Sequence, residues 1–349
     1  MSIGNILVTG SSGLIGGEVV EFFINRGYSI YGIDNNMREK FFGINGSTKK
    51  NLERLQDNYK NYQHYNVDIR NRVEIDELIK KISPLAIVHT AAQPSHDKAA
   101  SIPFLDFEVN ALGTLNLLEA VRKYCKESPF IHLSTNKVYG DRPNFLDLVE
   151  LETRWEYKGS LFKKGIDENM SIDNCTHSLF GVSKASSDLM VQEYGRYFSM
   201  PTCCLRGGCL TGPSHSGVEL HGFLNYLIRC NLNNTEYTIF GYKGKQVRDN
   251  IHSYDVAAFI DQFIKNPKMG AVYNIGGGYQ NSISLIESID KIESLTNKKM
   301  SYKYSDISRI GDHICYYSNL DKIKKDYPNW SLTKNLDDIF FEVYKAIDL

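Results

Sequence analysis

The chain has 349 residues, of which 42% are hydrophobic and 23% are charged, and its formal net charge is -1 at pH 7. This composition is typical of a folded globular protein of enzyme size, and it excludes a largely disordered chain. Because the net charge is close to zero, we expect neither nucleic acid nor a membrane as a partner. Any anionic ligand must then be bound by local groups.

Cysteine usage indicates the compartment. The seven cysteines are odd in number and lack the Cys-x-x-Cys spacing of metal sites, so we expect reduced thiols, no metal and a cytoplasmic location. Residues 3–8 lead directly into a glycine-rich loop, which is not the pattern of a signal peptide. No apolar run approaches the roughly 20 residues that a membrane helix needs.

The first half of the chain alternates between two hydrophobic patterns. Short apolar runs predict strands at residues 3–8, 28–33, 86–89 and 130–133. Stretches with helical spacing lie between them, beginning with residues 14–26. This repeated βαβ order predicts an α/β fold with a Rossmann-type, doubly wound parallel sheet.

The second half begins with a predicted helix at residues 183–198 and a buried strand at 202–205. From about residue 212 the predicted elements become shorter, with helices near 222–229, 254–264 and 284–295 and a strand near 237–240. We therefore predict a main domain over residues 1–211 and a smaller mixed α/β lobe over 212–349, some segments of which return to the main domain. An excursion at 141–177 is either a lid or a packed surface segment.

The loop after the first strand indicates a dinucleotide cofactor. Gly10, Gly13 and Gly16 form a G-x-x-G-x-x-G spacing that opens a helix, with Ser12, Leu14 and Ile15 between them. Glycines let the backbone approach a pyrophosphate, and a helix N-terminus offers free N–H groups to it. Asp34, followed by Asn35, ends the second strand, where a carboxylate accepts from ribose hydroxyls and repels a 2′-phosphate. NAD is therefore the predicted cofactor.

Two later strand ends extend this prediction. Asp68 and Ile69 follow a third strand, which is expected between the runs at 28–33 and 86–89, and are expected beside the adenine; the run at 86–89 is thus the fourth strand. Ala91, Ala92 and Gln93 follow the fourth strand and are expected beside the pyrophosphate and ribose. Ordinary loop chemistry is the alternative explanation for both segments.

Several motifs together resemble a known family. They are the glycine spacing, the segment Ser134-Thr135-Asn136-Lys137-Val138-Tyr139-Gly140-Asp141, residues 113–120, the segment Gly244-Lys245-Gln246-Val247-Arg248-Asp249 and residues 274–277. The chain resembles the extended short-chain dehydrogenase/reductase family of nucleotide-sugar epimerases and dehydratases over almost its whole length. The resemblance implies an NAD-dependent epimerase that oxidises the sugar transiently and returns hydride to the opposite face. It also implies a cofactor contact from Asn110, a homodimer, and a role in lipopolysaccharide or capsule biosynthesis.

The resemblance also implies catalytic residues, and one of them is altered. Lys184 matches the family lysine that binds the nicotinamide ribose, and Thr135 matches the hydroxyl residue that contacts the reacting sugar hydroxyl. Phe180 occupies the position of the tyrosine in the family's Tyr-x-x-x-Lys pair. A phenyl ring cannot accept the proton that this tyrosine takes.

Three interpretations of Phe180 are open. Another group replaces the tyrosine, and the candidates are His96, His177, Tyr139 and Cys209. Alternatively, the protein binds NAD and a nucleotide sugar with little or no turnover. In the third interpretation, the phenylalanine was introduced to hold substrate in place.

The resemblance also implies how the substrate is bound. Arg248 and Arg309 are expected to bind the nucleotide pyrophosphate, because guanidinium groups match paired phosphate oxygens, although Arg248 could instead pair with Asp249 or another acid. Asn136 and Lys137 are expected near the sugar. Dehydratases of the family usually carry an acidic pair at these two positions, which argues against a dehydratase or a net dehydrogenase here.

Overall fold

The structure is a computed structural model that describes residues 2–159, 164–215, 217–218, 222–308 and 311–347. Arg309, which was predicted to bind the substrate, therefore lies outside the described residues. In the described part of the chain the strands are β1 (Asn5–Thr9), β2 (Ser29–Ile33), β3 (Tyr62–Tyr65), β4 (Ala86–His89), β5 (Phe130–Thr135), β6 (Leu148–Glu150), β7 (Trp155–Tyr157), β8 (Thr202–Gly207), β9 (Cys209–Thr211), β10 (Tyr237–Phe240), β11 (Val247–His252), β12 (Ala271–Ile275), β13 (Ser282–Ser284), β14 (Tyr302–Ser305) and β15 (Cys315–Tyr316).

The α-helices are likewise numbered in chain order. They are α1 (Leu14–Ile24), α2 (Met37–Phe42), α3 (Lys49–Asn58), α4 (Arg72–Ile82), α5 (His96–Ala99), α6 (Pro103–Phe107), α7 (Gly113–Tyr124), α8 (Ser178–Phe198), α9 (Phe223–Leu232), α10 (Ser253–Lys265), α11 (Leu285–Thr296), α12 (Asp321–Asp326) and α13 (Leu336–Ala346). A π-helical turn at Glu108–Leu112 joins α6 to α7. None of the helices described here is long and apolar enough to cross a membrane.

Seven strands form one parallel sheet in the order β12-β8-β5-β4-β1-β2-β3. The chain runs outward from β1 through β2 to β3 and then returns to β4 on the other side of β1. This reversal is the topological switch point of a doubly wound sheet, where ligands bind at the carboxyl ends of the strands. The predicted Rossmann-type fold is confirmed.

Alternate residues of the interior strand β1 pack into cores on opposite faces of the sheet. Ile6 and Val8 pack with α1 and α10, whereas Leu7 packs with α4, α7 and α8. All three side chains are fully buried, because helices cover both faces of a parallel sheet. The apolar runs in the sequence reflect this burial.

The smaller lobe has its own hydrophobic core. Helices α9, α11 and α13 meet there through residues such as Leu224, Ile289 and Phe340. Strand β12 forms one edge of the main sheet, and α10 contributes Phe259 to the core of that sheet. Strands β9, β13 and β15 pair with β11 in a small mixed sheet next to the main one.

Candidate active site

A cavity of about 440 Å³ lies at the carboxyl ends of β1, β2, β4, β5 and β8. Predicted site residues that line it are Gly10, Gly13, Leu14, Ile15, Asp34, Asn35, Asp68, Ile69, Ala91, Ala92, His96, Thr135, Asn136, Lys137, Phe180, Lys184 and Cys209. Predicted site residues outside this lining are Ser12, Gly16, Gln93, Asn110, Tyr139, His177 and Arg248. The described residues of the 141–177 excursion do not line it either.

The glycine loop after β1 has no room for side chains. Gly10 has a φ of +67°, and a Cβ there would lie 2.8 Å from the backbone nitrogen of Ala91. A Cβ on Gly16 would lie 2.1 Å from the carbonyl oxygen of Gly10. Gly13 caps α1 without a side chain, so the first turn of the helix directs backbone N–H groups toward the cavity. This arrangement suits a diphosphate.

Asp34 is held at the end of β2 by backbone groups. Its carboxylate accepts hydrogen bonds from the backbone N–H of Ser12 at 3.0 Å and of Asn36 at 2.8 Å. Burial raises the pKa of this carboxyl group. Each carboxylate oxygen retains a lone pair that can accept from a hydroxyl group of a ligand.

Asp68 and Asn35 are engaged in local contacts. The Asp68 carboxylate pairs with the guanidinium of Arg70 at 2.8 Å, and Arg70 also pairs with Glu108 at 3.0 Å. The side-chain oxygen of Asn35 accepts from the backbone N–H of Met37. These side chains therefore shape the wall of the cavity beside Asp34 and Ile69.

Gln93 and Asn110 belong to a buried polar network behind the cavity. The Gln93 amide donates to Asp106 Oδ1 at 2.7 Å, and its oxygen accepts from the backbone N–H of Ser95. Asn110 accepts from the backbone N–H of Gln93 and donates to Ser183 Oγ. Asn110 thus links the loop after β4, through Gln93, to α8, through Ser183. The buried side-chain amides of Gln93 and Asn110 find their hydrogen-bond partners within the protein.

Thr135, Phe180 and Lys184 meet at one end of the cavity. Thr135 Oγ1 accepts from the backbone N–H of Lys137 at 3.2 Å. The Lys184 ammonium donates to the carbonyl oxygen of Leu133 at 2.7 Å, which ties α8 to the end of β5. The Phe180 side chain is only 7% exposed, and it supplies an apolar surface to this end of the cavity.

Two buried histidines lie behind Lys184. The His132 Nε2 atom is 3.4 Å from the Lys184 ammonium, and the His132 ring lies 5.0 Å from that of His89. Burial lowers the pKa of His89 to about 3 and that of His132 well below its ordinary value. Both rings are therefore neutral, and burial also lowers the pKa of Lys184 to about 8.

Lys137 and Arg248 share one carboxylate. Asp312 Oδ1 accepts from the Lys137 ammonium at 3.1 Å and from the Arg248 guanidinium at 2.6 Å. Burial alone would raise the pKa of Asp312, but the charges of Arg248 and Lys137 hold it well below its ordinary value. An ion pair of Arg248 with Asp249 or another acid was the alternative to binding of the pyrophosphate. Arg248 does pair with an acid, and that acid is Asp312 rather than Asp249. Lys137 lies in the lining of the cavity, whereas Arg248 and Asp312 do not.

The four groups considered as replacements for the tyrosine occupy different surroundings. The Tyr139 hydroxyl is buried and donates to Asn274 Oδ1 at 2.7 Å. His177 Nε2 lies 3.0 Å from the carbonyl oxygen of Val138, to which it can donate. Cys209 and His96 both line the cavity, and burial raises the pKa of the Cys209 thiol to about 12.

The cavity also contains residues that no sequence motif indicated. Arg38, Phe41 and Thr48 contribute from the segment after Asp34, and Ser214, His215 and Phe223 contribute from the smaller lobe. Burial lowers the pKa of Arg38 to about 10 and that of His215 to about 3. The only available signal was the position of Arg38 after the second strand, close to Asp34 in sequence.

The doubly wound sheet with a glycine loop at its switch point is the architecture of Rossmann-type dinucleotide enzymes. The chain belongs to the NAD dependent epimerase/dehydratase family, whose model matches residues 6–276. The family membership expected from the motifs is thereby confirmed.

Individual relatives include epimerases and a dehydratase. A CDP-paratose 2-epimerase of Salmonella typhi is 32% identical over 325 residues, which cover 91% of this chain and 92% of that protein. The structure of a Bacillus cereus UDP-glucuronic acid 4-epimerase, in complex with UDP-glucuronic acid and NAD, has a TM-score of 0.79 at 24% identity and covers 98% of each chain. The structure of a Bacillus anthracis dTDP-glucose 4,6-dehydratase, in complex with NAD, has a TM-score of 0.76 at 25% identity. The match covers 98% of this chain and 96% of that one.

The burial of the Lys184 ammonium leads to a prediction about the stability of the folded protein. A pKa lowered from 10.5 to about 8 corresponds to about 3 kcal/mol, and loss of a donor to the Leu133 carbonyl offsets about 1 kcal/mol of this. We expect Lys184→Met to raise the free energy of unfolding by about 1–3 kcal/mol at pH 7. The gain should shrink between pH 8 and 10.5, since the folded protein loses the Lys184 proton before the unfolded chain does.

Urea unfolding at pH 7 and pH 9.5 measures this effect. Lys158→Met is the matched control, because Lys158 is exposed and its replacement should change stability by less than about 0.5 kcal/mol. A loss of stability for Lys184→Met at pH 7, or a gain that increases with pH, would contradict the prediction.

Proposed function

We propose that this protein is an NAD-dependent nucleotide-sugar epimerase of the CDP-paratose 2-epimerase type. The observation that carries the proposal is the meeting, in one cavity, of the glycine loop and Asp34 with Thr135 and Lys184. The first set suits a dinucleotide and the second suits a sugar hydroxyl next to it. The 32% identity to a CDP-paratose 2-epimerase supports the choice of reaction and of a CDP-linked sugar.

The residues present fit NAD. Backbone atoms of the loops lie where side chains at Gly10 and Gly16 would stand, so the glycine loop is tightly packed. The first turn of α1 has no side-chain cap, and its N–H groups can therefore bind the pyrophosphate. Asp34 accepts from the adenosine ribose, and its negative charge disfavours the 2′-phosphate of NADP. Lys184 would bind the nicotinamide ribose. When bound, NAD accepts a hydride from the sugar and returns it.

The chemistry of the sugar decides which carbon is oxidised. A ketone at C4 acidifies only the protons at C3 and C5, so inversion at C2 of a 3,6-dideoxyhexose requires transient oxidation at C2 itself. Thr135 would bind the C2 hydroxyl and orient its carbon. The chain must also accept the hydroxyl proton and exclude water from the cavity, and Phe180 contributes only to the second task.

The substrate's diphosphate is proposed to bind where the two lobes meet. Lys137 and Arg248 provide two cations against the single carboxylate of Asp312, which leaves one positive charge for the ligand. Asn136 provides an amide near Thr135, and Arg309 stays a predicted diphosphate contact. The division into an NAD-binding domain over 1–211 and a substrate-binding lobe over 212–349 is part of this proposal.

Two further features belong to the proposal. The protein would act in the cytoplasm, in the synthesis of lipopolysaccharide or capsule precursors. Its seven reduced cysteines agree with the cytoplasmic location.

The protein would form a homodimer through α6 and α8. Leu179, Val182 and Leu189 recur along one face of α8 and are each about half exposed, and Phe104 of α6 is 85% exposed. A second copy of the chain would cover these side chains.

The prediction for the cofactor concerns Asp34. Replacing Asp34 with Asn removes the charge that holds the ribose hydroxyls, so we expect binding of NAD to weaken about 10- to 100-fold and the preference for NAD over NADP to fall. Isothermal titration calorimetry measures both affinities. Asp57→Asn, at an exposed position of α3, is the matched control. Unchanged binding of NAD by the Asp34 variant would rule out this role.

The prediction for the reaction concerns Phe180. In proton NMR with CDP-paratose, we expect the native chain to form the C2 epimer, and Phe180→Tyr to form it as well, because Thr135 and Lys184 are retained. CDP-glucose and GDP-mannose serve as comparison substrates. Product from Phe180→Tyr alone would indicate a silenced epimerase. A 4-keto product that has lost water would support a dehydratase, and absence of any product from both proteins would reject the proposal.

The prediction for assembly concerns the face of α8. We expect the native chain to sediment at twice the mass of one chain, and Val182→Glu with Leu189→Glu to sediment as a monomer, because two charges would be buried in the contact. Tyr302→Glu, at an exposed position of β14, is the matched control and should stay dimeric. A native monomer at micromolar concentration would contradict the proposed homodimer.

A further inference from the structure

His96 lines the same cavity as Phe180 and Lys184, and α5, which carries His96, packs against α8, which carries the other two residues. It is the first residue of α5, on the segment that follows β4, and it lines the cavity together with Thr135 and Phe180. Its Nδ1 atom lies 3.2 Å from Oδ1 of Asp97. The His96 side chain is 17% exposed and that of Asp97 is 30% exposed, so the pair is largely shielded, and His96 is the member of the pair that lines the cavity.

The other candidates for proton transfer are less suitable. Tyr139 and His177 lie outside the lining of the cavity and bond to Asn274 and Val138. Cys209 lines the cavity, but a thiol whose pKa is raised to about 12 provides almost no thiolate at neutral pH. His215, the other imidazole among the lining residues described, is close enough to Arg38 for that charge to lower its pKa.

The charges around His96 suit a ring that gains a proton. Asp97 faces it from the same helix, and Asp312 is close enough for the His96 charge to affect its pKa. Lys137 and Arg248 lie against Asp312, and their charges are partly offset by its carboxylate. An imidazolium at position 96 would therefore have a carboxylate at hydrogen-bond distance and a second one nearby.

We infer that His96 accepts the proton that the family tyrosine would take, and that Asp97 is a positioning residue that orients the imidazole. This inference rests on the proposed function. When Nδ1–H donates to Asp97, the lone pair lies on Nε2. The O–H bond of the sugar hydroxyl breaks and its proton moves to Nε2, and NAD, when bound, would supply the acceptor for the hydride that leaves the C–H bond. When hydride is returned to the opposite face of the carbon, the imidazolium would give the proton back to oxygen.

The kinetic test compares single and double variants. We expect His96→Gln to lower kcat at least about 100-fold with a change in KM below about threefold, since a general base contributes about 10²–10⁴. Asp97→Asn, which keeps the shape of the side chain, should lower kcat at least about tenfold. His177→Gln is the matched control and should lose less than about threefold. Imidazole in the buffer should restore part of the kcat of a His96→Gly variant.

Measurements in a Phe180→Tyr variant distinguish a failure of the inference about His96 from a failure of the proposed function. There, His96→Gln should cost less than about tenfold, because the restored phenol takes the proton, and this result also shows that the substitution leaves the fold intact. Full activity of His96→Gln in the native background would overturn the inference and leave the proposed function standing. Absence of epimer from both the native chain and Phe180→Tyr would reject the proposed function, and the inference with it.

Nitrogen NMR provides a measurement that does not depend on turnover. In protein labelled with ¹⁵N-histidine at pH 8, we expect the His96 signals to report a protonated Nδ1 and an unprotonated Nε2. The signals are assigned by their absence from His96→Gln among the nine histidines of the chain. In Asp97→Asn the preference for this tautomer should fall. A His96 ring protonated on Nε2 in the native protein would overturn the inference.

Discussion

The constraint on which the whole molecule depends is that seven parallel strands end at the same edge of one sheet. Residues far apart in sequence meet there, since the strand ends are neighbours in space although helices separate them along the chain. Gly10, Asp34, His96, Thr135 and Cys209 follow or end five different strands, and all line one cavity. The site is therefore a product of the sheet order, and its chemistry is set by the few side chains at that edge.

At position 180, where the motif resemblance implies a tyrosine, this chain has a phenylalanine, so one group of the implied catalytic set is absent. Thr135 and Lys184 each bond to a backbone atom, the Lys137 N–H and the Leu133 carbonyl oxygen, and neither of these contacts involves residue 180. Phe180 presents an apolar surface to the same cavity. The proposed transfer of the proton to His96 thus changes one role in the reaction and leaves the remaining contacts as the family motif implies.

The sheet was predictable because burial on both faces leaves an apolar run in the sequence, as in β1 and β4. Helix α8 was predicted from residue 183 but begins at Ser178, because its N-terminus lacks a side-chain cap that would mark it, and Ser178 itself has a φ of +62°. Spacing identified the glycine loop and Asp34, since local geometry determines both. The sequence thus predicted the fold, and the glycine loop and Asp34 that it singled out lie in the lining of the cavity.

Contacts between distant segments were not predictable. Asp312 lies 64 residues from Arg248, and no pattern pairs them. Gln93 and Asn110 stand in segments typical of cofactor contacts, yet the Asn110 side chain bonds to the backbone of Gln93, and both side-chain amides donate to Asp106. Arg38 and His215 reach the cavity from segments without a motif. In each case the position of the side chain depends on how distant segments pack together, which a local sequence pattern does not show.

The most direct test of the central claim follows the hydrogen atom at the carbon that inverts. With CDP-paratose carrying deuterium at C2, transient oxidation at C2 predicts that the epimer retains deuterium on the same carbon, because the hydride leaves and returns within one cavity. Mass spectrometry and ²H NMR of the product measure this retention in ordinary water. Loss of the label to solvent would mean that C2 is deprotonated rather than oxidised, and would contradict the account.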